Sequence, residues 1–425
     1  MWHDRTTRGL GRHSLDSGVV DDLALRYLLL GLRLGRVVDG FVDSFVGPPQ
    51  IAEAVAAEAP TFPAALHDEA VRLRELAAEL PGDDAAAIRR RRWFDGQLVA
   101  MAVLARHATG EEIEYLDLTD QLFGLRVAPA PEAGLAVARA RLDAAVPGRG
   151  NLIDRLTAQR DRLRVPADRA MALLAASAAR FREATSRDFS LPDDEGVDWE
   201  AARGVAWGAE ASFTGHGRTR IRINLDQPRQ VPTIAYLAAH EVYPGHHAEH
   251  IVKERALIRD AGLGEATLRT ISSPEGLMAE GQADVAGEVV MGDLELATEL
   301  AHIGGELGVD ADWHAVVAAE RAARELASAV GNAAIMLHHD GRAESVVREW
   351  LDEFCPQPAD MREHTLAFLR DPFSSTYAFT YRDGAHLVRR WLEVQGQTTG
   401  FWRLLSEQLS PAALADDLAA ADAAT

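Results

Sequence analysis

AAHEVYPGHHAEHIVK, residues 238–253, sets His240, His246, His247 and His250 close together with Glu241 and Glu249. Imidazoles and carboxylates at such density are metal-ligand chemistry more often than core packing. The familiar zinc-hydrolase pattern is H-E-x-x-H on a helix, where positions four apart lie about 400° around and both imidazoles face one ion. His240-Glu241 opens that pattern, but position 244 is proline. On an ideal helix His246 would lie about 120° off the His240 face, and His247 roughly 10 Å along the axis. Pro244 removes a backbone donor and Gly245 tolerates unusual dihedrals. A looped-out bulge of two residues is therefore expected to bring His246 to the position of the second ligand. His247 remains the alternative.

A site of this kind holds one zinc ion per chain, with three protein ligands and a water. Glu241, beside the first ligand, is the expected general base. The third ligand is expected to be a carboxylate on a following helix. SSPEGLMAEGQADVAGE, residues 272–288, offers Glu275, Glu280 and Glu288. Glu280 is preferred because it lies between Met278 and Val285, where an acid needs a reason to be buried. Glu275 is the alternative, since a helix start also favours an acid for its dipole. Asp284, one turn beyond Glu280, is expected to orient a ligand histidine. Downstream, His338 and the pair Tyr377 and Tyr381 are candidates near the oxyanion, a role for tyrosine or histidine donors.

Around this stretch the chain reads as helical. Ala, Leu, Arg and Glu, all strong helix formers, dominate its 425 residues. Helices are expected over 22–45, 51–58, 64–80, 84–109, 111–122, 132–145 and 149–185. A polar joining segment, 186–197, follows. RTRIRINL, 218–225, alternates as a strand, and its edge would suit pairing with an extended peptide. Helices then resume from 233, with Ser273-Pro274 capping one that runs to about 307. Further helices fit 311–330, 342–354, 358–370 and 383–394, and the tail after Ser410 reads as frayed. The expected fold is mainly α, a large helical metallopeptidase-like arrangement around a central cleft, with a small β-element before the metal-site helix. It divides into an N-terminal helical part, 1–185, and a catalytic part, 186–425, packed as one unit.

The net charge, 44 − 65 = −21, argues against nucleic acid, which requires a concentrated basic surface. The basic run Arg89–Arg92 reads as a solvated helix face. The N-terminal residues MWHDRTTRGLGRHSLD lack an apolar signal core, and Leu23–Leu34 carries Arg26 and Arg33, so no membrane partner is expected. The single cysteine, Cys355, fits a reducing compartment and a cytoplasmic location.

HEVYPGHH at 240–247 resembles the bacterial family known as domain of unknown function 885. GLRLGRVVDGFVDSFVGPP at 31–49, AEGQA at 279–283, MLHHDG at 336–341 and TYRDG at 380–384 support that likeness. The family is similar to the carboxypeptidase Taq and thimet-oligopeptidase-like zinc peptidases, which implies a helical fold with a deep cleft. In those peptidases glycine directly precedes the second ligand histidine, and the ligand glutamate opens a short E-S-Q-S stretch. The resemblance thus implies Gly245-His246 and Glu280-Gly281-Gln282-Ala283, and it sets His338 and Tyr381 along the cleft. Gln282 departs from the tryptophan usual in the unknown-function family. The expected activity is hydrolysis of short peptides or related amides, of carboxypeptidase or oligopeptidase type. A carboxypeptidase also needs a cation for the terminal carboxylate, for which Arg382 and Arg342 are the candidates. The rival readings are a non-peptide metallo-amidase and a helical binding protein without catalysis.

Overall fold

The computed structural model describes residues 21–205 and 207–424; the residues read above for a signal core lie outside them. The chain is mainly α-helical, with seven short strands in three small sheets among the described residues. The main core runs from Leu23 and Tyr27 through Phe181, Ile221 and Val285 to Leu414, so packing crosses position 185. Among the described residues, no helix is long and apolar enough to cross a membrane.

Several expected elements are subdivided, most of them near a glycine or proline. The first helix is Asp22–Gly35, not 22–45. Asp39-Gly40 turns the chain, with Gly40 at φ +72°, and the β-branched and aromatic residues beyond it form β1, Val42–Phe45. The segment 149–185 is two helices, Leu152–Arg162 and Ala167–Asp188. Between them lie β2, Arg164–Val165, and Pro166. The helix expected to reach 307 ends at Val290, and a new one, Asp293–Glu306, starts after Gly292. The region 311–338 likewise holds two helices, Trp313–Leu326 and Ser328–His338.

The β-element is larger than the sequence suggested. The end of the joining segment is β3, Gly196–Ala202; β4 is Ala209–Gly215 and β5 is Arg218–Asn224. The sheet order is β3-β5-β4, with β5 parallel to β3 and antiparallel to β4. The RTRIRIN strand is therefore central. Both of its edges are already hydrogen-bonded, so it has none to offer a peptide. β6, Arg229–Gln230, pairs with β2, and β7, Leu268–Thr270, pairs with β1.

The tail is a further correction. Pro411–Ala424 is helical, and its Leu414 is fully buried in the main core. Leu414→Ala is expected to remove about 2–5 kcal/mol of stability. Urea denaturation checks this, and an unchanged midpoint would show that the tail does not hold the fold. The basic run is also spoken for. Arg89 pairs with Glu407, Arg90 with Glu265 and Asp21, and Arg92 with Asp416, while Arg91 donates to the carbonyls of Leu80 and Gly82. The face is thus tied to neighbouring acids and carbonyls as well as solvated.

Candidate metal centre

The helix Val231–Leu237 starts with Pro232 in its first turn and widens into a π-turn over Ala238–Val242, which carries His240 and Glu241. The chain then loops through Tyr243-Pro244-Gly245, with a cis Tyr243-Pro244 bond, and restarts as the helix His246–Lys253. Tyr243 N–H donates to the Ala238 carbonyl at 3.0 Å and Gly245 N–H to the Ala239 carbonyl at 2.9 Å. These bonds span five and six residues instead of four, so the two extra residues are absorbed as wider turns. Gly245 is needed for its size. A Cβ there would fall far inside contact of the His240 and Ala239 carbonyl oxygens.

This geometry brings three of the expected residues together. One ligand atom each from His240, His246 and Glu280 lies within 4.8 Å of the others. His240 Nε2 is 3.4 Å from Glu280 Oε2, and His246 Nε2 is 3.8 Å from Glu280 Oε1. The two rings stand at 90°, with centroids 4.8 Å apart. Two ligands about 2.1 Å from one tetrahedral ion sit about 3.4 Å apart, so these spacings suit zinc. Glu280 Oε2 is buried, with His240 Nε2 at 3.4 Å and no well-aligned hydrogen bond, which leaves it able to accept from a cation. Burial pushes the Glu280 carboxyl up, but His240, His246 and Tyr377 outweigh it and bring the pKa down to about 2.

The other nitrogen of the first histidine is also fixed. His240 Nδ1 lies 3.2 Å from Asp284 Oδ1 and 3.1 Å from Tyr236 Oη, and Tyr236 donates to Asp284 at 2.8 Å. Such a partner sets the tautomer and aims Nε2 at the ion. Asp284, expected to orient a ligand histidine, lies against the His240 ring nitrogen that faces away from Glu280. Tyr236 was missed, although its spacing of four from His240 on one helix was there to be read. Glu241 is only 7% exposed, and burial pushes its carboxyl up against the opposing pull of His240 and His246.

The alternatives go elsewhere. His247 is one residue, about 100°, further around its helix. It is fully buried, with Nε2 2.9 Å from Glu195 Oε2 and Nδ1 2.8 Å from Thr219 Oγ1. Tyr243 donates to the same Glu195 oxygen at 2.5 Å, and Arg182 reaches its other oxygen at 2.6 Å. Glu195 thereby clasps both ends of the looped-out turn from behind. Glu275 is five residues from Glu280, about 140° around the helix. It faces Arg269 at 3.6 Å, where burial pushes its carboxyl up to about 7. Glu288 pairs with Arg389 at 3.1 Å.

The downstream candidates divide. Gly281 and Gly384 let the π-turn Thr380–Gly384 press onto the Glu280 helix; a Cβ on Gly384 would lie 2.6 Å from the Leu277 carbonyl oxygen. Tyr377 donates to Glu280 Oε1 at 2.7 Å. Tyr381 stands across it, ring centroids 5.5 Å apart at 84°, and keeps 41% of its surface exposed. His338 does not join them. As the last residue of its helix it turns to the Leu369 carbonyl, 2.6 Å from Nε2, and to the Tyr115 ring at 5.1 Å. Arg382 is only 6% exposed and donates to Asp383, Asn332 and the Ala128 carbonyl, so its guanidinium has no face left for a substrate carboxylate. Arg342 is exposed in the turn after the His338 helix. Gln282 is 2% exposed, buried within the Pro274–Val290 helix packing.

No protein-family model matches the chain, and no curated protein matches it. A solved structure of a protein from Colwellia psychrerythraea, described as a "putative lipoprotein", is similar at 12% identity. The match covers 85% of this chain and 67% of that one, with a TM-score of 0.49. The likeness to domain of unknown function 885 and to the zinc peptidases rests on the motifs alone.

Proposed function

We propose that the chain is a zinc-dependent hydrolase of short peptides or related amides. The observation that carries this reading is the meeting of His240, His246 and Glu280 around one point, with buried Glu241 next to His240 in the chain. A zinc ion bound there would supply Lewis acidity and a water of lowered pKa. Glu241 takes the proton of the attacking water at its carboxylate and passes it to the leaving amine nitrogen. Tyr381, exposed at the rim, donates its hydroxyl hydrogen to the oxygen that gains charge. Tyr377 is committed to Glu280 and positions that carboxylate instead. Asp284 and Tyr236 keep the His240 ring aimed.

The test is elemental analysis of the purified chain and of His240→Ala in parallel. About one zinc per chain in the wild type and little in the variant is the expected result. No metal in either, after zinc has been supplied, would overturn the proposal and favour a binding protein without catalysis. Turnover of small amides with none of di- to decapeptides would move the substrate class to a non-peptide amidase.

A further inference from the structure

Arg269 stands between the two helices that carry His246 and Glu280. It lies in β7, whose pairing with β1 fixes its backbone, with Arg269 opposite Ser44 and Leu268 opposite Phe45. Its Nη1 is 3.4 Å from Glu249 Oε1 and 3.6 Å from Glu275 Oε1. Glu249 belongs to the helix His246–Lys253, three residues beyond His246, so the two side chains lie on adjoining turns. Glu275 is in the first turn of Pro274–Val290, the helix of Glu280. One guanidinium nitrogen thus ties the His246 helix to the Glu280 helix.

The tie is buried. The side chains of Arg269, Glu249 and Glu275 are only 8%, 1% and 10% exposed. Lys253 adds a second cation, 2.5 Å from Glu249 Oε1, so two cations meet two carboxylates. Glu249 Oε2 and Glu275 Oε2 are buried without a hydrogen bond, and Glu275 has no other ion pair among the described residues. Attraction to Arg269 therefore offsets much of the cost of burying these acids, and removing one member of such a group is strongly destabilising.

The three residues of the candidate centre are not held alike. His240 is joined to the Glu280 helix a second way, through Asp284 on its far ring nitrogen. No hydrogen bond holds the His246 ring among the described residues; it stands 3.8 Å from Glu280 and packs against the His240 and His250 rings. Its distance from Glu280 follows from how the two helices stand. Resting on the reading of the metal centre, we infer that Arg269 is a positioning residue for the zinc site, setting the spacing between His246 and Glu280 by holding Glu249 and Glu275 at once.

The test measures zinc affinity by chelator competition on the full chain, at about pH 8, above the value near 7 to which burial pushes Glu275, so that both acids are charged. Arg269→Met is expected to weaken zinc binding about 10–100-fold, and Arg269→Lys to recover most of it. Arg26→Met is the control. It breaks a half-buried pair with Glu69 between the helices Asp22–Gly35 and Pro63–Ala78, which carry no candidate ligand, and is expected to cost stability but not zinc affinity. Glu275→Gln keeps the side-chain shape and releases one end of the tie, so it carries the test if Arg269→Met does not fold; a smaller loss of affinity is expected. Hydrogen exchange on the zinc-free chain reads the tie without metal, with faster exchange expected over 246–253 and 274–290 in Arg269→Met or Glu275→Gln than in Arg26→Met. Wild-type zinc affinity in Arg269→Met or Glu275→Gln, an equal loss in Arg26→Met, or unchanged exchange in both helices would overturn the inference. A wild-type chain that takes up no zinc overturns the metal reading instead, and exchange then decides the tie by itself.

Discussion

Glu241→Gln is expected to lower peptide hydrolysis by about 10²–10⁴-fold while leaving the zinc content at the wild-type level. The two readouts separate because Glu241 is beside the ligand set and not in it. The atoms that meet around the site belong to His240, His246 and Glu280. Glutamine keeps the shape of the buried side chain, so neighbouring packing is retained, but an amide cannot take up the proton of the attacking water. The measurement is initial rates on a peptide library together with metal analysis of the same samples. Full activity in Glu241→Gln would remove the general base from the mechanism. Loss of zinc along with activity would make Glu241 a ligand instead.

Gly245→Ala is the second large effect. It adds one carbon, placed inside contact of the carbonyl oxygens of His240 and Ala239, and both of those atoms are backbone. Neither can swing aside as a side chain would, so the turn that carries His240 must open. A few tenths of an ångström at the ligands is enough to weaken a metal site. Zinc affinity is expected to fall about 10–100-fold, the range seen when ligand support is lost. Stability is expected to fall by about 1–3 kcal/mol, as in overpacking. Chelator competition and thermal melting measure the two. Gly134→Ala is the control, since nothing lies within 4 Å of its added Cβ and the residue sits inside the helix Glu132–Ala145. There the change is expected to stabilise slightly. Equal zinc affinity in Gly245→Ala and wild type would mean that the close approach has no part in ligand placement.

The meeting of His240, His246 and Glu280 was legible because it obeys local rules. His240-Glu241 is a contiguous pair, and Pro244-Gly245 announces a distortion at a stated place. Glu280 and Asp284 lie four apart on one helix face, while Glu275 lies on another. Helix starts such as Asp21, Asp84 and Ser273 carry their capping oxygens in the sequence and were found close to where they stand. The break at Asp39-Gly40 was there to be read but was overrun by the apolar pattern on either side.

What the sequence by itself determined is therefore the helical class, the position of the distorted turn and the residues that meet around it, because these depend on residues a few positions apart. Tertiary structure decided the rest, because it depends on which surfaces meet. The RTRIRIN strand alternates in the same way at an edge or in the centre, and only its pairing with β3 and β4 made it central. His338 and Arg382 have suitable chemistry in sequence, but Leu369, Tyr115 and Asp383 claim them across the fold. The tail has too weak a pattern to predict burial, yet Leu414 enters a core built by distant helices. Glu195 comes to the helix of the candidate centre from far upstream, through hydrogen bonds to Tyr243 and His247. No spacing along the chain encodes a contact of that kind.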